Sequence, residues 1–161
     1  MAAISTSGFD TVERYLAQHD VSHEVVEHDA RPTAAADARA VGIEPDDAAK
    51  TVVLRDGSGY RVVVIPASCH LDLRKLRELV GAGHEVRLAT EHEIAEGFGS
   101  FEVGALPPFG PLLDAPEIVD RRLLDHERVM CSGGDHRHGL VLDPREILRV
   151  CDPQVADVCL D

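Results

Sequence analysis

Residues 49–65, with the sequence AKTVVLRDGSGYRVVVI, decide the fold because they hold two apolar, β-branched runs separated by a polar turn. Glycine and aspartate tolerate the positive φ of tight turns, so this pattern predicts a β-hairpin with strands at 51–54 and 60–65. Lys50 opens the first strand as a lone cation, and Lys75 is the only other lysine in the chain. A lysine at the mouth of a buried strand is expected to face a cleft or an anion.

The sequence on both sides of the hairpin predicts further helices and strands. Thr33 is a plausible N-cap for an alanine-rich helix that Gly42 ends, and Asp10 with Glu13 resembles a capping pair. Hydrophobic periodicity predicts helices near 10–19, 34–41, 72–80, 91–96 and 144–148, and strands at 21–27, 85–88, 118–119, 128–131, 139–142 and 155–160. Residues 98–116 are rich in glycine and proline and are predicted to form one long loop.

This order of elements does not follow the regular βαβα alternation of a doubly wound sheet. It favours a mixed α/β fold in which a curled, barrel-like mixed β-sheet is flanked by helices. A chain of 161 residues, 44% hydrophobic, fits a single domain that spans residues 1–161. No glycine-rich dinucleotide or P-loop motif follows a strand, and no G-x-S-x-G elbow is present, so these three site types are not favoured.

The charge and the cysteines restrict the classes of partner. A formal net charge of −13 argues against broad, sequence-independent binding to nucleic acid, so DNA is not an expected partner. The four cysteines show no C-x-x-C spacing, which favours reduced thiols in a cytoplasmic protein. No signal peptide or membrane-spanning apolar stretch is recognisable, so we expect no membrane association.

Two further segments, GALPPFG at 104–110 and CSGGDH at 131–136, complete a recognisable order of motifs. Together with the early helix, His28, Thr33, the AKTVVL strand and LDLRKL at 71–76, they make the chain resemble the YbaK/prolyl-tRNA-synthetase-associated domain family. The resemblance covers nearly the whole chain. Most members of this family are trans-editing deacylases, which hydrolyse amino acids wrongly esterified to tRNA, and their fold is a mixed, barrel-like β core flanked by helices.

The resemblance also implies which residues form the site. Lys50 matches the family's strand lysine and would hold a phosphate or the ribose of the terminal adenosine, and the family's Gly-x-x-x-Pro loop begins at Gly104. The late Gly-x-His element matches 134–136. The implied catalytic residues are Lys50, Gly104, Pro108 and His136, and the implied substrate-binding residues are Thr33, Leu106, Pro107, Phe109, Ser132 and Gly134.

The function implied is a trans-editing hydrolase that removes a small amino acid, alanine, cysteine or serine, from tRNA without a cofactor or a metal. An aminoacyl ester is already activated, so orientation and backbone dipoles can supply much of the acceleration. The expected partners are the aminoacyl-tRNA acceptor end and an aminoacyl-tRNA synthetase. Taken without the resemblance, Lys50 reads as a solvent-reaching lysine and the prolines as loop stiffeners.

Two alternatives stay open. In the first, the chain is a catalytically silent module that binds a tRNA end or a synthetase. In the second, it is a small metallohydrolase built on Cys131, His136 and His138. Because His136 and His138 alternate on a predicted strand, they should point to opposite faces and serve poorly as ligands of one metal ion. The remaining histidines, including His28, are scattered and are interpreted as surface or core residues.

Overall fold

The predicted hairpin lies at the centre of a five-stranded sheet in the computed structural model, which describes residues 7–29, 33–81 and 83–161. The strands of this sheet, in spatial order, are β4 (Val86–Leu88), β2 (Ala49–Asp56), β3 (Gly59–Pro66), β5 (Glu117–Asp120) and β8 (Gln154–Ala156). Strands β2 and β3 pair antiparallel along their full lengths, whereas β5 and β8 are added in parallel. The hairpin prediction is confirmed.

A second, three-stranded antiparallel sheet lies beside the first. Its order is β1 (Glu24–Glu27), β7 (His138–Leu142) and β6 (Val129–Ser132). An isolated parallel bridge between Ala48 and Met130 connects the start of β2 to β6. The mixed α/β class is confirmed. The described residues form two sheets and no closed barrel, so the barrel-like curl is not confirmed.

Six α-helices pack around these sheets in the described part of the chain. They are α1 (Gly8–Gln18), α2 (Ala34–Ala40), α3 (Leu73–Val80), α4 (Glu91–Gly97), α5 (Gly110–Leu113) and α6 (Pro144–Cys151), with short 3-10 helices at Pro45–Asp47 and Arg121–Asp125. Thr33 caps α2 as predicted, since its hydroxyl accepts a hydrogen bond from the N–H of Ala36 at 3.0 Å. Within these residues no helix is both long enough and apolar enough to span a bilayer.

The structure differs from the predicted elements at several places, and β1 begins at Glu24 rather than at residue 21. The N-cap of α1 is Ser7, which accepts from the N–H of Asp10, so the Asp10–Glu13 capping pair is wrong. The predicted loop at 98–116 contains α5, because proline is tolerated in the first turn of a helix. The last strand ends at Ala156, and only an isolated bridge between Leu71 and Cys159 lies beyond it.

The two faces of β2 pack against different hydrophobic clusters. Ala49 packs in the cluster that contains Phe109 and Cys131, whereas Leu54 packs with α3 residues in another cluster. Because side chains alternate along a strand, neighbouring residues of β2 serve opposite sides of the sheet. This alternation places Ala49 on the side where the loop at 104–110 and the second sheet meet.

Candidate functional site

Two loops that are distant in sequence, residues 102–105 and residues 132–136, are fastened together by three hydrogen bonds. We call this set the loop clamp. The bonds are Ser132 Oγ–H to Ala105 O at 2.5 Å, Glu102 N–H to Gly134 O at 3.2 Å, and His136 Nε2–H to Val103 O at 2.7 Å. A carbonyl oxygen only accepts, so the Nε2 atom of His136 carries a proton. The sequence-predicted residues Ser132, Gly134 and His136 are thereby brought together with the loop that starts at Gly104.

Gly104 lies at the exposed crest of this clamp. Its φ of +84° belongs to the left-handed region, which glycine adopts without the strain of a side chain. A Cβ added there would lie 3.3 Å from Cε1 of His136. The N–H of Gly104 donates no hydrogen bond to any described residue. The loop therefore presents a fixed, unpaired backbone donor to solvent.

The turn that holds Gly134 is packed against the start of α1. Gly134 is buried at φ +101°, and a Cβ there would lie 2.8 Å from the backbone of Gly8. A Cβ on Gly8 would in turn lie 2.7 Å from the carbonyl oxygens of Gly134 and Ser100. The two backbones are too close for a side chain at either position, and this packing explains why both residues are glycine. A substrate contact by Gly134 remains a prediction.

A small pocket opens between α2, the start of β2 and the turn at 132–138. Its walls include small or apolar residues at Ala34, Ala48, Ala49, Met130 and Gly139, and its cavity volume is about 20 Å³. A space of this size holds little more than one water molecule. His28 and His138 line this pocket and also an open cleft of about 560 Å³, so they stand where the two spaces meet.

Asp135 and His138 form a pair beside the small pocket that the sequence analysis did not predict, although it considered His138 as a metal ligand. The ring Nδ1 of His138 lies 2.9 Å from both carboxylate oxygens of Asp135. Burial alone would raise the pKa of Asp135, but hydrogen bonds from the N–H of Arg137 and from His138 outweigh it, so the pKa is lowered. The three-residue spacing between aspartate and histidine was a visible signal, but the predicted strand placed both histidines in the wrong context.

His28 is also part of the site rather than an unrelated residue. Its side chain is 3% exposed, and its Nδ1 lies 2.9 Å from the carbonyl oxygen of Asp29 and 3.5 Å from Oδ1 of Asp37. The N–H of His28 donates to the carbonyl of Arg137, which ties the end of β1 to the turn before β7. The ring is thus held in one wall of the small pocket.

Lys50 is not brought together with the loop clamp. It lies half-buried on β2 and pairs with Ile65. Because side chains alternate along a strand, Lys50 points to the opposite side of the sheet from its neighbour Ala49. The ammonium group of Lys50 forms no hydrogen bond or ion pair with another residue of 7–29, 33–81 or 83–161, whereas that of Lys75 bonds Asp157 and Asp161. The Lys50 ammonium group is available to an external anion, as the prediction requires, and that role stays a prediction.

The other predicted binding residues occupy supporting positions. Phe109 is 1% exposed and packs beside Tyr15, and Leu106 is buried in a cluster with Val53. Pro107 and Pro108 are also buried, so they anchor the loop to the protein interior. Thr33 is exposed and its hydroxyl is engaged in capping α2. Any contact of these residues with a substrate stays a prediction.

The three residues of the metallohydrolase alternative do not converge. His136 lies in a turn and bonds Val103 O, not on a strand as predicted, while His138 bonds Asp135. Cys131 is buried, and burial raises the pKa of its thiol to about 12. No group of three histidine, cysteine, aspartate or glutamate side chains in the described part of the chain is placed to hold a metal ion.

Comparison with known proteins now identifies the family. The model of the aminoacyl-tRNA editing domain matches residues 28–150, a range that contains the small pocket and the whole loop clamp. The chain belongs to the aminoacyl-tRNA editing domain family. The resemblance seen in the sequence is confirmed.

Solved structures agree with this membership of the editing domain family. A candidate trans-editing enzyme for prolyl tRNA synthetase is 31% identical, with a TM-score of 0.82 over 97% of this chain and 99% of that one. A hypothetical protein, APE2540, is 30% identical, with a TM-score of 0.84 over 93% of this chain and 99% of that one. A comparison with curated protein sequences found no significant match.

Proposed function

We propose that this editing domain is an aminoacyl-tRNA deacylase that acts in trans and removes a small, wrongly attached amino acid, alanine, cysteine or serine. The observation that carries the proposal is the exposed Gly104, whose N–H has no partner among the described residues and whose loop is bonded to Ser132, a residue that lines the small pocket. A fixed backbone donor stabilises the negative charge that develops on an ester carbonyl during hydrolysis. Membership of the editing domain family supports this reading.

The pocket supports a preference for a small residue. Its alanine and glycine walls leave a narrow space, and Met130 covers Gly139, where an added Cβ would meet the methionine Cε atom at 2.5 Å. A pocket of this kind admits a small side chain and excludes a larger correct one, as the second sieve of an editing system does. The similarity to a candidate trans-editing enzyme for prolyl tRNA synthetase makes proline the cognate residue to test.

The test is a deacylation screen in which tRNA for proline, alanine, serine and cysteine is charged with correct and incorrect amino acids. We expect release of alanine, serine or cysteine from a mismatched tRNA and no release of proline from its own tRNA. If the folded protein binds these tRNAs and releases none of their amino acids, the silent tRNA-end or synthetase-binding module is the better description.

Lys50→Ala is expected to lower deacylation at subsaturating tRNA by about 10-fold or more and to reduce the salt dependence of binding by about one unit of slope, because one phosphate contact is lost. Lys50→Arg should retain much of the binding. The matched control is Arg74→Ala, which removes one positive charge from a side chain that is 77% exposed on α3. Equal effects of Lys50→Ala and Arg74→Ala would remove Lys50 from the site.

We also expect deacylation to persist after treatment with EDTA. The reason is the donor set, since Cys131 holds a buried neutral thiol while His136 and His138 have separate partners. The measurement compares the rate before chelation, after chelation and after added zinc. A rate abolished by EDTA and restored by zinc would favour the metallohydrolase instead.

A further inference from the structure

His138 has the geometry of an oriented base. The carboxylate of Asp135 accepts hydrogen bonds and lies 2.9 Å from Nδ1, so the ring proton resides on Nδ1 and the lone pair on Nε2. Asp135 also accepts the backbone N–H groups of Arg137 and His138, each at 2.9 Å. These bonds keep the carboxylate ionised and fix its direction.

The ring of His138 is held from its face as well as from its edge. It stacks on Phe9 with ring centroids 3.9 Å apart and an interplanar angle of 10°. The backbone of His138 pairs with Glu27 in the register of β1 and β7. The ring has therefore little freedom to turn, and Nε2 keeps one direction.

The Nε2 atom of His138 is free to take a proton. Oε1 of Glu27 lies 3.9 Å from this atom, beyond hydrogen-bond distance, and the Glu27 side chain is 85% exposed. No described residue hydrogen-bonds this Nε2. His138 lines both the open cleft and the small pocket, so a water molecule between them can reach it.

His136 is less suited to the same role, because a neutral carbonyl oxygen and not a carboxylate holds its ring, and because it lines neither the small pocket nor the open cleft. Its Nε2 donates to Val103 O, and this bond holds the loop that presents Gly104. Its neighbour two residues later has an unpaired Nε2 and a carboxylate partner. His136 therefore holds the loop, and His138 is the histidine placed to accept a proton.

We propose that Nε2 of His138 accepts the proton of the water that attacks the aminoacyl ester, with Asp135 as its positioning residue. This inference rests on the proposed deacylase function. The water oxygen bonds to the carbonyl carbon while its proton moves to Nε2. When the tetrahedral intermediate collapses, the bond to the ribose oxygen breaks and that oxygen takes the proton from His138. The products are the free amino acid and the uncharged tRNA, and the histidine is regenerated.

The test is single-turnover deacylation against pH for wild type, His138→Gln and His138→Ala. General acid–base groups contribute roughly 10²- to 10⁴-fold, so we expect a loss of about 100-fold or more in both variants. The decline of the wild-type rate toward acidic pH should disappear in both. Added imidazole should restore part of the rate of His138→Ala by occupying the space beside Phe9. Asp135→Asn should slow the reaction less than His138→Gln.

Controls separate this role from a structural one. His92→Gln changes a histidine that is 81% exposed on α4 and should leave the rate and its pH profile unchanged. Thermal melts show whether each variant is folded, and if His138→Ala is not, His138→Gln and Asp135→Asn still give the pH profile. A wild-type rate or an intact acidic decline in folded His138→Gln overturns the inference and leaves the deacylase standing. A wild type that deacylates no tRNA overturns both.

Discussion

Replacing Gly104 with alanine is expected to slow single-turnover deacylation by about 100-fold while the protein stays folded. At φ +84° an alanine is strained, and its Cβ would lie 3.3 Å from the His136 ring that holds the loop. Both effects displace the unpaired N–H, and a misplacement of roughly 1 Å costs about 100-fold in rate. The strain itself should lower the free energy of unfolding by only about 1–2 kcal/mol.

Gly81→Ala is the matched control for this experiment. Gly81 has φ +92° at the end of α3, and a Cβ added there meets no described atom within 4 Å. It therefore carries a similar backbone strain without a neighbour in the site. Pro108→Ala should slow the reaction more mildly, because it loosens a loop whose φ is otherwise fixed. If Gly104→Ala reacts near the wild-type rate, or slows only as far as it unfolds, the loop is a scaffold.

Glu117→Gln is expected to stabilise the protein at pH 8 by up to roughly 3 kcal/mol, and to change little at pH 5. Burial raises the pKa of Glu117 to about 7, although a hydrogen bond from the N–H of Gly110 at 2.5 Å opposes the rise. The second oxygen, Oε2, is buried with no hydrogen-bond partner among the described residues. Each unit of pKa difference corresponds to about 1.4 kcal/mol.

The sign follows from proton linkage. Between the usual carboxyl pKa of 4.5 and about 7, the folded state retains a proton that the unfolded state has released. The free energy of unfolding contributed by Glu117 therefore falls as pH rises through this window, and the full penalty persists above it. The neighbouring phenol of Tyr15 has its pKa raised to about 12 by burial, and burial likewise raises the pKa of the Cys151 thiol, so both stay neutral.

Urea unfolding at pH 5 and pH 8 measures this effect. Glu127→Gln is the matched control, because Glu127 is exposed and forms no hydrogen bond or ion pair within the described residues. It removes the same charge from the surface and should follow the wild-type pH dependence. A Glu117→Gln variant that also follows the wild type at both pH values would contradict a neutral, buried carboxyl at this position.

The sequence predicted what depends on near neighbours. The hairpin, the Thr33 cap and α3 each result from a pattern within one short segment of the chain, so periodicity and turn chemistry were sufficient. The loop that begins at Gly104 was found through a family resemblance, which carries no distances. Its three bonds to the turn at 132–136 join residues about thirty positions apart, and no local pattern specifies such partners.

Glu117 and His138 show the remaining limit. Glu117 begins β5, and its burial is apparent only once the N–H of Gly110 is known to lie against it. For His138 the spacing to Asp135 was visible, but His136 and His138 were expected to alternate on one strand, whereas β7 begins at His138 and His136 lies in the turn before it. Because His136 lies in a turn, its ring bonds Val103 O while the ring of His138 bonds Asp135. Side-chain direction in turns depends on backbone dihedrals that composition does not specify.

The pairing of β1 with β7 affects when the protein can begin to work. Residues of β1 meet partners more than one hundred positions later, and Gly8 rests on Gly134. Contacts of such high sequence separation form slowly, since a long loop must close before they are gained. During synthesis the two strands of the β2–β3 hairpin become available for pairing early, whereas the second sheet can form only after residues 129–142 have been made. A nascent chain therefore completes its site late in its own translation.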